Sequence, residues 1–158
     1  MFISYGKQNI DNSDLEAVKN VLKSDFLTQG PLVQQFESDL KKRLKSKYAT
    51  VVNNGSSALL TIGKILNWKK GDLIAVPPIT FLSSVNTIEH CGAKPLFIDI
   101  NLNDYCMDPN ILEKALEKDK KKKIKAAIIV DYSGQPAQWE KFLALKRKYN
   151  IKLINDNC

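Results

Sequence analysis

Histidine and arginine are nearly missing from this chain: His90 is the sole histidine, and Arg43 and Arg147 are the sole arginines. One imidazole and three widely spaced cysteines (Cys91, Cys106, Cys158), with no CxxC pair, leave a zinc site without a ligand set. The same odd, scattered cysteines provide no disulfide framework. Scarce arginine removes the side chain that reads base edges and grips phosphate bidentately. That counts against the nucleic-acid partner which a net charge of +7 would otherwise suggest. Much of the charge sits in one place: Glu117–Lys125 holds six lysines against two acids, +4 of the +7, and reads as a solvated loop between a helix and a strand. No apolar run approaches the roughly 20 residues of a membrane helix. The opening residues lack the charged-then-apolar order of a signal peptide, so a cytoplasmic location with no membrane partner is expected. Also missing are a G-x-G-x-x-G fingerprint, a Walker loop, an internal repeat and a Pro/Ser-rich linker.

What is present is ordinary in amount and ordered in pattern. The 158 residues, 44% of them apolar, suit one globular domain or a piece of a larger one. Ser13-Asp-Leu-Glu16 reads as a capping box, followed by Leu15, Val18 and Leu22 at helical spacing. Asp25–Pro31 breaks that helix, and Pro31 is placed to open the next, whose apolar stripe is Leu32, Phe36, Leu40 and Leu44. From Tyr48 onward, short apolar runs at Ala49–Asn53, Leu73–Val76, Pro95–Ile100, Ala126–Asp131 and Lys152–Asp156 read as strands. They alternate with helical patterns at Ser56–Leu66, Leu82–Cys91, Pro109–Glu117 and Gln138–Tyr149. The alternation predicts an α/β architecture with a mostly parallel sheet flanked by helices. It divides the chain into a helical segment, 1–47, and an α/β part, 48–158. The chain stops two residues after a buried-strand pattern, which reads as a truncated domain.

In an open α/β sheet, ligands sit at the carboxyl ends of the strands, and three groups of residues are expected there. Asn53-Asn-Gly-Ser-Ser57 follows a strand and opens a helix. Gly55 allows a tight turn, and the helix start with Ser56 and Ser57 is either a phosphate seat or an ordinary serine-capped turn. In Val76-Pro-Pro-Ile-Thr-Phe81, the aromatic either lies flat against a planar ligand or belongs to the core. Asp99, Asp131 and Asp156 end three strands. They suit a divalent-cation cluster, a single partner for a cationic ring nitrogen, or plain loop capping. A phosphate seat, a flat aromatic and a carboxylate on one sheet edge are the contacts that pyridoxal phosphate needs.

Five segments in register carry a resemblance: Asn53–Leu59, Val76–Phe81, Gly92–Asp99, Asp131–Pro136 and Ile154–Asp156. In order and spacing they resemble the DegT/DnrJ/StrS sugar aminotransferases over essentially the whole chain. Tyr5, Gln8–Asp11 and Phe26–Gly30 are similar to the branch serving pseudaminic acid synthesis. The resemblance implies part of the large domain of a fold-type I enzyme that binds pyridoxal 5'-phosphate. It further implies a homodimer and transfer of an amino group, from glutamate, to carbon 4 of a UDP-linked 4-keto-6-deoxy sugar. Gly55, Ser56 and Ser57 would bind the cofactor phosphate, Phe81 would stack on the ring, Asp156 would pair with the ring nitrogen, and Cys158 would touch the other face. Tyr5 with Asp25, Phe26, Leu27 and Thr28 would line the sugar-nucleotide entrance. The Schiff-base lysine and the small C-terminal domain would lie beyond Cys158, leaving this piece inactive alone. Three other functions stay in contention: a sugar 3-dehydratase of the same family, a non-enzymatic basic binding module, and a metal-dependent hydrolase using the three aspartates.

Overall fold

A computed structural model describes residues 6–157, so Tyr5 and Cys158 lie outside the described residues. The chain forms two compact units that meet in sequence at Val51/Val52. None of the described helices is long and apolar enough to cross a membrane.

The first unit contains α1 (Asn12–Leu22) and α2 (Pro31–Leu44). The capping box forms, but earlier than Ser13 and Glu16 would have it. The N-cap is Asp11, whose carboxylate accepts from the amides of Ser13 and Asp14, while the Asp14 side chain accepts from the Asp11 amide. A carboxylate meets free helix-start amides better than a hydroxyl does, because the bond is charge-assisted and the dipole favours an anion there. The Ser13 hydroxyl, by donating to Asp11, holds that carboxyl below its ordinary range. Pro31 opens α2 as expected, and no residue of either helix is buried.

The strand expected at Ala49–Asn53 does not form. A strand exists only through a hydrogen-bonded neighbour, and among the described residues this segment has none. The Val51 amide donates instead to Glu37 Oε1 at 2.9 Å.

The second unit holds α3 (Gly55–Ile65), β1 (Leu73–Val76), α4 (Leu82–His90), β2 (Lys94–Phe97), α5 (Pro109–Lys118), β3 (Ile124–Val130), a short 3-10 turn (Tyr132–Gly134), α6 (Trp139–Tyr149) and β4 (Lys152–Asp156). Four strands pair in the order β2-β1-β3-β4, all parallel. Parallel neighbours need crossovers, which α4, α5 and α6 supply. Alternate residues go to opposite faces. Ala75, Ala127 and Ile129 pack with Leu112, Leu116, Phe142 and Leu145 of α5 and α6. Ile74, Val76, Ala126, Ile128 and Ile154 pack with Leu59 of α3, Trp68 and Ile88 of α4. The sheet is therefore covered on both faces, which is why its strands read as continuous apolar runs.

Two positions show how tightly the layers fit. A Cβ at Gly63 would fall 2.8 Å from Cys91 Sγ and 2.9 Å from the Trp68 ring, so α3 approaches its neighbours through a bare backbone. Phe142 is fully buried beside Trp139, with ring centroids 6.1 Å apart. Phe142→Ala is expected to lower the unfolding free energy by about 3–5 kcal/mol, read from the midpoint and slope of a urea titration. The lysines at 118, 120–123 and 125 are exposed along the α5–β3 connection. Cys91 and Cys106 are buried and unpaired, and burial pushes the Cys106 thiol up, away from reactive thiolate character.

Candidate functional site

Because all four strands run the same way, β1, β3 and β4 deliver Val76, Val130 and Asp156 to one edge of the sheet. Phe81 lies in the loop leaving β1, Asp131 follows β3 and Asp156 ends β4, whereas Gly55, Ser56 and Ser57 follow no strand, because 49–53 forms none.

The turn before α3 is capped by Asn54 rather than by serine: its Oδ1 accepts from the Ser57 amide at 2.8 Å. Gly55 is the first helical residue and has no positive φ, so the tight turn expected of it is not its role. A Cβ there would meet nothing within 4 Å. The glycine thus keeps the start of the helix uncovered, and the Ser56 side chain is exposed beside it. A helix start with amides and hydroxyls facing open space suits an anion.

Phe81 is the N-cap of α4 and is 69% exposed, so it is not a core residue. With Pro77 buried before it, its backbone is anchored while its ring stands free. Phe81 shares a cavity of about 450 Å³ with Asn54, Ser56, Ser57 and, from α4, Ser83, Asn86 and His90. The expected phosphate seat and the expected flat aromatic therefore face one space, of a size usual for small-molecule sites.

The three aspartates separate into different roles. Asp131 is 8% exposed and accepts from the Ala137 amide, the Trp139 indole Nε1 and Asn155 Nδ2, at 2.9, 2.9 and 3.2 Å. Those donors make it a clamp on the loop leading into α6. Asp99 Oδ1 accepts from the next amide, Ile100, at 2.8 Å, which is local capping. Asp156 is half-buried at the end of β4, and its Oδ2 accepts from the Ser84 hydroxyl of α4 at 2.6 Å. Among the described residues, no group of three or more acidic, histidine or cysteine side chains comes together to hold a metal. The Ser84 contact was not anticipated from sequence, since one serine in a helix carries no signal.

Asp25, Phe26, Leu27 and Thr28 form the α1–α2 connection of the first unit. Phe26 and Leu27 line an apolar groove of about 390 Å³ with Val21, Pro31 and Val33 of that same unit.

Comparison with known proteins gives this arrangement its context. The profile of the DegT/DnrJ/EryC1/StrS aminotransferase family matches residues 8–158. The chain is 38% identical over 154 residues to UDP-4-amino-4,6-dideoxy-N-acetyl-beta-L-altrosamine transaminase of Campylobacter jejuni, covering 98% of itself and 40% of that protein. Among solved structures it is similar to Helicobacter pylori PseC, an aminotransferase involved in the biosynthesis of pseudoaminic acid. The TM-score is 0.86 at 32% identity, over 97% of this chain and 40% of that one. It is also similar to a GDP-4-keto-6-deoxymannose-3-dehydratase with a trapped PLP-glutamate geminal diamine, with TM-score 0.86 at 29% identity, over 96% of this chain and 40% of that one. The chain thus spans about 40% of the length of these relatives. The fold is that of pyridoxal phosphate aminotransferases of fold type I, and the cofactor of the family is pyridoxal phosphate. An uncovered helix start, an exposed aromatic ring and a strand-end carboxylate are groups of the kind that such a cofactor contacts, and the match over nearly every residue places the chain in the DegT/DnrJ/EryC1/StrS aminotransferase family.

Proposed function

We propose that the whole protein transfers an amino group from glutamate to carbon 4 of a UDP-linked 4-keto-6-deoxy N-acetyl sugar, for cell-surface glycan or nonulosonic acid synthesis. The observation that carries this reading is the shared cavity of Ser56, Ser57 and Phe81, with Asp156 tied to the helix that Phe81 caps. The α3 start and its two hydroxyls donate to the cofactor phosphate, where the helix dipole favours negative charge. Phe81 covers one ring face and excludes water from it. Asp156 accepts from the ring nitrogen and holds a proton there. When bound, the cofactor's protonated ring is the sink for electrons released at the reacting carbon. Asp25–Thr28 and Tyr5 belong to the sugar-nucleotide entrance in this reading, and Cys158 to the other ring face. The 48–158 part contributes to a large cofactor domain, with the aldimine lysine and small domain outside this chain. A cytoplasmic homodimer is part of the same proposal.

The test supplies the full-length protein with pyridoxal phosphate, glutamate and a UDP-4-keto-6-deoxy N-acetyl sugar. An amino sugar and 2-oxoglutarate in equal amounts support the proposal. Neither product, with the cofactor bound, defeats it. The likeness to a 3-dehydratase favours one second reading. It predicts a sugar lacking its 3-hydroxyl and no amino group gained, which mass spectrometry separates at once.

Phe81→Ala in the full-length protein is expected to weaken cofactor affinity roughly 10-fold through lost stacking and area. Because the ring is exposed and outside the core, the urea midpoint should stay near wild type. Equilibrium dialysis measures the affinity. Unchanged affinity would remove Phe81 from the site.

A further inference from the structure

We propose that Ser84 is a positioning residue for the cofactor-binding carboxylate: its buried hydroxyl, itself met by Thr80, fixes the direction in which Asp156 faces the ring nitrogen. This rests on the reading of Asp156 as the ring partner.

Ser84 is 0% exposed and occupies the first turn of α4. Its Oγ lies 2.6 Å from Asp156 Oδ2, within the short range of hydroxyl-to-carboxylate bonds. Thr80 Oγ1 donates to Ser84 Oγ at 3.0 Å. A serine hydroxyl has one proton. With that proton committed to an acceptor-only carboxylate, Ser84 accepts from Thr80, and the relay has a single direction: Thr80 to Ser84 to Asp156.

The geometry has a mechanical consequence. Asp156 is the last residue of β4 and is half-buried there. The hydroxyl bond ties it to α4, the helix whose N-cap is Phe81. The ring-stacking residue and the ring-nitrogen partner are then held by one rigid element, although 72 residues separate Ser84 from Asp156 in sequence. A first-turn serine often serves its own helix end. Here the cap residue is Phe81, no side chain caps the helix, and Ser84 points to the strand instead. Alanine is the best helix former and is hardly smaller than serine, so removing this hydroxyl tests orientation with little cost to the fold.

The experiment uses full-length holoenzyme. Its readouts are the dissociation constant for pyridoxal phosphate and the pH dependence of the bound cofactor's absorbance. Ser84→Ala is expected to weaken affinity roughly 5- to 20-fold and to move the pH of the spectral change, at wild-type urea midpoint. Thr80→Val should act in the same direction by about 2- to 3-fold, because Ser84 still donates. Asp156→Asn should exceed both, and adding Ser84→Ala to it should cost less than about 2-fold more, since residues acting through one group are not additive. Wild-type affinity and spectrum in Ser84→Ala, or effects of the two variants that simply multiply, would overturn the proposal. Should Ser84→Ala fail to fold, Thr80→Val decides alone, and an unchanged spectrum there is a negative result. If Asp156→Asn leaves both readouts unchanged, the assignment of Asp156 itself is wrong. If it changes them while Ser84→Ala does not, only the relay is wrong.

Discussion

Mixed with pyridoxal phosphate, glutamate and a 4-keto nucleotide sugar, the 158-residue chain by itself is expected to release no 2-oxoglutarate above a cofactor-only control. Transamination needs a base that takes a proton from one carbon and returns it to another, worth about 10²–10⁴-fold on its own. An amine does this at neutral pH only when burial or a neighbouring cation lowers its pKa. Every lysine of this chain is exposed, and none lines the cavity shared by Ser56 and Phe81. The one lysine with a clear shift, Lys148, is moved the wrong way: its bond to Glu113 pushes it up and keeps the ammonium charged. Phosphate, stacking and the aspartate would still permit weak, reversible cofactor binding. Steady 2-oxoglutarate production by this chain, abolished by Asp156→Ala, would show that a base is present after all.

In the full-length protein, Asp156→Ala is expected to lower kcat on the order of 10²–10⁴-fold. Removing one partner of a desolvated charge pair costs about 3–5 kcal/mol, and each 1.36 kcal/mol is a factor of ten in rate. The loss should fall on kcat rather than on KM for the sugar, because the proposed role of Asp156 is toward the cofactor and not toward the sugar. Asp131→Ala is the control. Asp131 accepts from Ala137, from Trp139 of α6 and from Asn155 of β4, contacts that hold the start of α6 to the sheet, so the effect should appear as a lower urea midpoint. A kcat within a few-fold of wild type for Asp156→Ala would disprove the assigned role.

Much of the second unit was legible because its strands are short apolar runs bounded by turns. Leu73–Val76 and Lys152–Asp156 form with the expected bounds, and α3 and the three crossover helices α4, α5 and α6 lie within a residue of their patterns. The expectations that failed depended on partners. Ala49–Asn53 has strand composition but no neighbour to pair with among the described residues, and its amide went to Glu37. Ser13 and Glu16 matched a capping pattern, yet a carboxylate two residues before Ser13 outcompeted it.

For this chain, then, local chemistry settled the alternation of strands and helices, the parallel sheet and the edge to which its polar loops go. Periodicity and turn residues act within a few positions of the chain, and they are written in its order. Tertiary structure decided which of the three aspartates is tied to α4, the helix that begins after Phe81. Asp99, Asp131 and Asp156 are alike in sequence, but only Asp156 meets Ser84, while Asp131 is engaged by the indole of Trp139. A side chain's role follows from the donors that surround it, and those donors arrive from residues far away in the chain. Their identity exists only once β4 has paired with β3 and α4 has packed on the sheet.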